Sequence, residues 1–334
     1  MTRKVLVTGG AGYIGSHTCK ALAAAGYTPV AYDNLDYGHE WAVRWGPFVR
    51  GDILDADGLS AAFAAHRPVA VVHFAAYTYV GESVRDPLRY YRNNVLGSLQ
   101  LLSSMRAHGV GKIVYSSTCA TYGIPRSTPI AEDMPQVPIN PYGQTKLAVE
   151  RMLADCANAH GLGYCALRYF NAAGADSAAE IGEDHAPETH LIPLAIATLL
   201  DRAASLEVYG RDYETPDGSA IRDYVHVADL ARTHVAALDY LLAGGAPVAL
   251  NVGSGKGASV LEAIAAVERQ SGRKVRWKFG PRRAGDPAIL VADPSRLKAV
   301  LNVDPASFAD LDDIVASAWQ WHSRHLARQH PVSG

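Results

Sequence analysis

Through its first half the chain alternates short, β-rich apolar runs with longer stretches of helical pattern. Lys4–Thr8, Pro29–Tyr32, Val69–Phe74 and Lys112–Ser116 read as strands, and Tyr13–Ala25 (stopped by Gly26), Asp55–His66 and Leu88–His108 as the helices among them. Asn140-Pro141 has the form of an N-cap followed by proline at the first helical position, opening a helix to His160, just before Gly161. A further strand, Tyr164–Tyr169, follows. Strands alternating with helices imply right-handed crossovers, so the expected fold is α/β, a doubly wound parallel sheet covered on both faces. After Asn171 the regularity falls. Ala172–Glu188 reads as loop, followed by a helix (Leu191–Arg202), a short strand (Leu206–Tyr209), a loop (Gly210–Ala220) and a helix (Val227–Ala243). Residues 1–171 are therefore expected to form one domain, to which some later segments return. Residues 172–334 form mainly a smaller mixed α/β lobe, with no repeat or long linker between the two.

Composition narrows the function classes. A length of 334 residues with 49% apolar and 19% charged positions supports a sizeable core, and a net charge of −2 gives no general attraction to nucleic acid or anionic membrane. The run Val5-Leu6-Val7 behind the basic N-terminus is too short for a signal-peptide core, and no stretch approaches a membrane span. Cys19, Cys119, Cys156 and Cys165 form no C-x-x-C pair, which points to reduced thiols and a cytoplasmic protein. The 13 histidines include no H-x-x-x-H or His/Cys cluster at metal spacing, so no metal is expected.

Thr8-Gly9-Gly10-Ala11-Gly12-Tyr13-Ile14-Gly15 joins the first strand to the first helix. Such a turn lets backbone N–H groups and a helix N-terminus approach a pyrophosphate, the signature of a Rossmann-type dinucleotide site. Asp33 ends the second strand, 18 residues after Gly15. A carboxylate there accepts hydrogen bonds from ribose hydroxyls and repels a 2′-phosphate, which favours NAD over NADP.

Tyr142 and Lys146 stand four apart, on one face of the helix opened by Asn140. A free phenol titrates near ~10 and is a poor base at neutral pH; a neighbouring cation is expected to favour the phenolate. Tyr115-Ser116-Ser117-Thr118 ends a strand at the carboxyl edge of the sheet, where ligands of such folds bind, and a hydroxyl there can hold a reacting oxygen against the tyrosine. By themselves these residues specify only oxidation of a hydroxyl or reduction of a carbonyl.

With these motifs the chain resembles the extended short-chain dehydrogenase/reductases, and within them the UDP-glucose 4-epimerase family. The narrower likeness rests on Tyr32-Asp33-Asn34-Leu35, Gly51-Asp52-Ile53, His73-Phe74-Ala75-Ala76, Gly81-Glu82-Ser83, Tyr90-Tyr91-Arg92-Asn93-Asn94-Val95, Tyr169-Phe170-Asn171-Ala172-Ala173-Gly174, Arg222-Asp223-Tyr224-Val225-His226-Val227 and Arg283-Ala284-Gly285-Asp286. The resemblance implies tightly bound NAD that is reduced and reoxidised in every turnover. It makes Tyr142 the base at the sugar 4-hydroxyl, Lys146 its tuning cation and ribose contact, and Thr118 a hydrogen-bond partner of the sugar oxygen. It assigns the cofactor to Gly9, Gly12, Tyr13, Ile14, Gly15, Asp33, Asn34, Leu35, Asp52, Ile53, Phe74, Ala75, Ala76, Asn94, Tyr142, Lys146 and Phe170. The UDP-sugar falls to Thr118, Tyr142, Asn171, His190, Leu191, Tyr209, Arg222, Arg283, Asp286 and Leu290. Guanidinium groups suit a diphosphate and the Tyr209 face suits uracil. The chain departs from the family in Thr78, where some members have Lys, and in His190, a position often held by Asn. Leu290 sits where a residue of variable size governs room for a C2 acetamido group. Related 4,6-dehydratases place Asp-Glu after the catalytic Ser or Thr; Cys119-Ala120 cannot supply that acid and base. UDP-N-acetylhexosamines, UDP-pentoses and UDP-uronates stay open as substrates, and a non-catalytic NAD-binding scaffold is the rival from another class. The helices at Leu88–His108 and Asn140–His160 resemble the family's dimer-forming pair, so a homodimer is expected.

Overall fold

A computed structural model describes residues 3–283 and 285–329 of the chain; Met1, Thr2 and Ala284 lie outside the described residues. The first six strands are β1 (Lys4–Thr8), β2 (Thr28–Asp33), β3 (Phe48–Arg50), β4 (Ala70–His73), β5 (Lys112–Thr118) and β6 (Gly163–Tyr169). After them come β7 (Asn171–Ala173), β8 (Leu206–Tyr209), β9 (Ile221–His226), β10 (Val248–Val252), β11 (Gly257–Ser259), β12 (Trp277–Gly280) and β13 (Ile289–Leu290). The helices are α1 (Tyr13–Ala24), α2 (Ala56–His66), α3 (Val80–Arg85), α4 (Pro87–Tyr90), α5 (Gly97–Ala107) and α6 (Pro141–His160), then α7 (Leu191–Leu199), α8 (Val227–Leu242), α9 (Val260–Ser271), α10 (Ser295–Leu301) and α11 (Leu311–Gln329).

Seven strands form a parallel sheet in the order β10-β6-β5-β4-β1-β2-β3. Side chains alternate between its faces, and the two faces bury two separate cores. Val5, Val7, Val72, Val114 and Leu167 join Leu22 of α1 and Leu230, Leu238 and Leu241 of α8. Leu6, Val71, Ile113 and Ala166 point the other way, onto Leu59 and Phe63 of α2, Leu101 and Met105 of α5, and Val149 and Leu153 of α6. Each large side chain so buried stabilises the fold by about 1.5–3 kcal/mol. Strands covered on both faces read as continuous apolar runs, which is why their type was legible from sequence.

The second half is divided between two sheets. α8 packs on α1, and β10 extends the large sheet beside β6. The remainder forms a smaller layer in which β9 pairs with β11 and β13 over Ile221–Asp223 and with β7 over Tyr224–His226. β8 and β12 form a separate parallel pair. This layer and α7, α9 and α11 bury Ile192, Ile196, Val208, Tyr224, Ile264, Val267, Ile314 and Val315.

Two expectations need correction. The loop expected at Ala172–Glu188 begins inside β7, whose residues pair with β9, a strand distant in sequence that supplies the partner no local pattern reveals. The helix expected at Leu88–His108 is α4 and α5 joined by a π-helical segment, Tyr91–Leu96. The wider turn carries Asn93 and Asn94 in its buried face. Elsewhere the local signals hold: the Asn140 carboxamide accepts from Gly143 N at 2.8 Å and Gly161 closes α6 in the left-handed region at φ 69°.

Asp223 fastens the smaller layer. It is fully buried, and its carboxylate accepts from Ser254 N (2.8 Å), Ser254 Oγ (2.7 Å), Gly255 N (3.0 Å) and Ala292 N (3.1 Å). Asp223→Ala strands these donors and is expected to cost about 2–4 kcal/mol, read as a lower urea midpoint at unchanged slope.

Candidate active site

The carboxyl ends of β1, β2, β4, β5 and β6 converge along one edge of the sheet, and the side chains singled out from sequence collect there. Gly9 turns away from β1 with φ 73°, its N–H on Tyr32 O at 2.8 Å. A Cβ on Gly9 would lie 2.7 Å from Ala75 N, and one on Gly15 would lie 2.0 Å from Gly9 O. Only glycine permits this approach of turn, helix and β4 loop. Gly12 opens α1 with no side-chain cap and no acidic residue in the first turn, so the helix end offers its N–H groups and partial positive charge to an anion. Asp33 is nearly buried; its carboxylate accepts from Ala11 N (3.0 Å) and Leu35 N (2.9 Å). Burial raises its pKa while those two N–H groups oppose the rise.

The remaining cofactor candidates form the walls of this cradle. Leu35 adopts φ 65°, and Asn34 Nδ2 donates to Asp52 at 3.1 Å. Ile53 packs beneath Gly97, where a Cβ would come within 2.5 Å of Ile53 Cδ1. Phe74 N and Ala75 N both donate to Thr8 O, at 2.9 and 3.1 Å, and the Phe74 ring lies 4.7 Å from that of His234; Ala76 follows, half-buried. Tyr13 donates from its hydroxyl to Gly174 O at 2.6 Å, and Ile14 packs on the core. Asn94 is held differently from a free ligand. Its amide bridges Tyr77 N and O (2.8 and 3.0 Å) and Thr145 Oγ1 (3.0 Å), tying the β4 loop to α6.

Tyr142 and Lys146 emerge from the first turns of α6 against Thr118 at the end of β5. Thr118 Oγ1 accepts from Ala120 N at 3.1 Å, which leaves its own proton to donate. Lys146 is buried, its ammonium donating to Ser116 O at 2.8 Å and standing 5.1 Å from the Tyr115 ring centre. Burial lowers its pKa to about 7, with Glu150 opposing. Sequence alone suggested a phenol activated by a cation. In the structure burial raises the Tyr142 pKa above its ordinary value, and only the hydrogen bond with Thr118 opposes the rise. The reason is desolvation: the site that excludes water from the phenol also weakens the ammonium expected to assist it.

Glu150 and Arg168 escaped the sequence reading. Both are nearly buried, and the guanidinium grips the carboxylate at 3.0 Å through Nε and 2.6 Å through Nη2. Ser117 Oγ donates to the same carboxylate, and Gln136 adds a contact at 3.1 Å. The available signal was a Glu one turn beyond Lys146 on the same face, together with an Arg inside an apolar strand.

On the opposite side, Arg222 donates to Ile221 O (2.8 Å) and Pro287 O (3.0 Å) and pairs with Asp286. Asp286 N donates to Arg283 O at 3.2 Å, and the exposed Arg283 guanidinium lies 4.0 Å over the Tyr209 ring. The structure thus joins four substrate candidates that are scattered in sequence. Leu290, in register with Arg222, packs with Cys119, Tyr122, Ile130 and Phe170, linking this group to the end of β5. Cys119 has its thiol pKa pushed up to about 12 by burial, against the pull of Arg222, as expected of an inert thiol. Asn171 lies in register with Tyr224, and Leu191 opens α7. His190 stands apart in a group with Glu183, His185 and Glu188, whose ligand atoms lie within 4.8 Å of one another. This H-x-x-x-x-H grouping was not visible as metal spacing. Both His Nδ1 atoms face Glu183, and the ion pairs compensate that buried carboxylate: burial raises the Glu183 pKa, but His190 and His185 hold it well below the ordinary range.

A family model, NAD dependent epimerase/dehydratase family, matches residues 5–253. The chain belongs to that family. It is 52% identical over 326 residues to the UDP-glucose 4-epimerase of Rhizobium leguminosarum bv. trifolii, covering 98% of each chain. It superposes on the crystal structure of UDP-glucose 4-epimerase from Brucella ovis in complex with NAD with a TM-score of 0.93 at 54% identity, covering 96% of this chain and 98% of that one. The UDP-glucose-4-epimerase from Stenotrophomonas maltophila, with bound NAD and formylated UDP-arabinopyranose, gives a TM-score of 0.94 at 39% identity over 98% and 100% of the two chains. Asp33→Ala is expected to remove the hydrogen-bond acceptor at the end of β2 and loosen NAD. Gel filtration followed by release and assay of nucleotide tests this, and full retention of NAD by the variant contradicts the assignment.

Proposed function

We infer that this chain interconverts UDP-glucose and UDP-galactose by transient oxidation at sugar C4. The observation that carries this is the meeting of Tyr142, Lys146 and Thr118 at the end of β5 above a glycine cradle, with Cys119-Ala120 in place of a second acid and base. NAD, when bound in this cradle, accepts a hydride and returns it. The Gly9–Gly15 turn and the N-terminus of α1 suit its pyrophosphate, and Asp33 suits its ribose. Acting as the phenolate, Tyr142 accepts the proton of the sugar hydroxyl as C4 is oxidised and gives it back as C4 is reduced. Thr118 keeps the sugar oxygen in line, using the proton that its bond with Ala120 leaves free. Lys146, one donor spent on Ser116 O, keeps two for ribose hydroxyls and places its charge beside the phenol. The hydride and proton removed in the first half are restored in the second, so no outside oxidant or reductant is consumed. Inversion requires the oxidised sugar to present its other face. The firm hold therefore belongs at the nucleotide end, where Arg222 and Arg283 suit the diphosphate and Tyr209 the base.

Purified protein mixed with UDP-galactose and no added cofactor is expected to form UDP-glucose from retained NAD. Parallel runs with UDP-N-acetylglucosamine and UDP-xylose read the breadth that Leu290 sets. Tyr142→Phe is expected to keep NAD and lose about a hundredfold or more of turnover; a variant with most of the wild-type rate sinks the role given to the tyrosine.

The chain is further proposed to act as a cytoplasmic homodimer, with the large sheet as the cofactor domain and the β9 layer as the nucleotide-sugar lobe. Among the described residues no helix is long and apolar enough to cross a membrane, and all the cysteines are free. Val84, Leu88, Leu96 and Leu99 are exposed along α3 to α5, a concentration of apolar surface suited to a two-fold partner. A Leu88→Asp, Leu99→Asp double variant should sediment as a monomer where the wild type sediments as a dimer; sedimentation of the wild type as a monomer rules the assembly out.

A further inference from the structure

Lys146 and Thr118 sit on different elements, α6 and β5, which the Lys146 ammonium joins through Ser116 O. A second lock lies one turn below. Glu150 follows Lys146 by four residues, so its buried carboxylate lies on the same face of α6, beneath the ammonium. From there it reaches β5 through Ser117 Oγ, β6 through the Arg168 guanidinium, and the loop before α6 through Gln136 Nε2. Arg168 in turn holds Tyr122, the residue that closes the turn after Thr118, at 2.9 Å, and Glu132 O at 3.2 Å. Tyr122 continues to Asn251 on β10 at 2.8 Å. One carboxylate therefore fastens both strands and the helix around the reacting groups, directly before and after Thr118.

We propose that Glu150 is a positioning residue for the oxidation step: clamped by Arg168, it fixes Ser117 and hence Thr118 to α6 and keeps the Lys146 ammonium charged beside Tyr142. The assignment rests on the reading in which Tyr142 and Lys146 act on a sugar hydroxyl.

The charges around Lys146 make this testable by pH. Tyr115 on β5 and His73 on β4 also face the ammonium, but His73 is kept neutral by burial and by Lys146 itself, its pKa lowered to about 3. Tyr115 has its pKa raised well above the phenol value, chiefly by burial, so it too is uncharged. Burial holds Tyr142 to its proton in the resting site, and it gives that proton up before it acts as the base. Glu150 is thus the anion left to sustain the cation, and it does so against burial that brings Lys146 to about 7. A group with a lowered pKa loses its charge as the pH rises through that value. Removing Glu150 therefore moves that loss to lower pH.

Glu150→Gln keeps the size of the side chain but deletes its charge and turns one of its two acceptor oxygens into a donor. It is expected to lower kcat by about ten- to a hundredfold while KM for UDP-galactose changes by no more than about twofold. The alkaline limb of the kcat profile should move down by about one pH unit. Because a buried Arg168 left alone endangers folding, the double variant Glu150→Gln, Arg168→Gln is measured beside it. With both charges gone it is expected to recover thermal stability yet keep the lowered kcat and the shifted limb. Recovery of wild-type kcat and pH profile in the double variant, or an unshifted limb in a folded, NAD-loaded Glu150→Gln protein, overturns the proposal. Absence of UDP-galactose turnover in the wild type overturns instead the functional reading on which it rests.

Discussion

The Arg168–Glu150 ion pair sits where three elements of the site meet, and the geometry around the reacting groups depends on it. Taking two charges out of water is costly, and an apolar pair of the same shape often serves stability as well. What apolar residues cannot supply is direction. The planar guanidinium and the carboxylate each have donors and acceptors at set angles, so β5, β6 and α6 can approach in only one register. Ser117 and Tyr122, on either side of Thr118, are both fastened to this pair. The hydroxyl between them is thereby placed, its oxygen accepting from Ala120 N and its proton left to donate.

Burial governs the chemistry of the same region. Tyr142 and Lys146 both lose solvation, which raises the phenol pKa and lowers that of the ammonium, so burial drives the two apart and disfavours the charged form of each. The cofactor cradle follows a different logic: it relies on backbone rather than side chains, and on the absence of Cβ atoms at Gly9 and Gly15. The relatives that superpose on the chain with NAD bound preserve this architecture across nearly their whole length.

The two halves are interlocked by topology. β10 and α8 come from the second half yet complete the large sheet and one of its cores, while β7 leaves the end of β6 to join β9. The Arg222–Asp286 pair and the Arg283–Tyr209 stack are consequently held by strands anchored close to the sheet edge. On the proposed reading the sugar is held between two bodies that share backbone connections, which favours a fixed distance between the nucleotide grip and the reacting carbon.

Local sequence determined what local forces control. The apolar runs of β1, β2, β4, β5 and β6, the Asn140-Pro141 start and Gly161 stop of α6, the glycine turn and the Tyr142–Lys146 spacing all follow from backbone sterics, capping and burial on a two-faced sheet. Family motifs extended that reach to Arg222, Arg283 and Asp286. Tertiary structure alone decided the rest. β7 forms because β9 is there to pair with it, and the π segment forms where Asn94 must meet both Tyr77 and Thr145. The joining of Glu150 to Arg168, and of His190 to Glu183, depends on which side chains face one another across elements remote in sequence. So does the effect of burial on Tyr142: a cation four residues away predicts an activated phenol, but only the packed fold sets how much water remains to stabilise either charge.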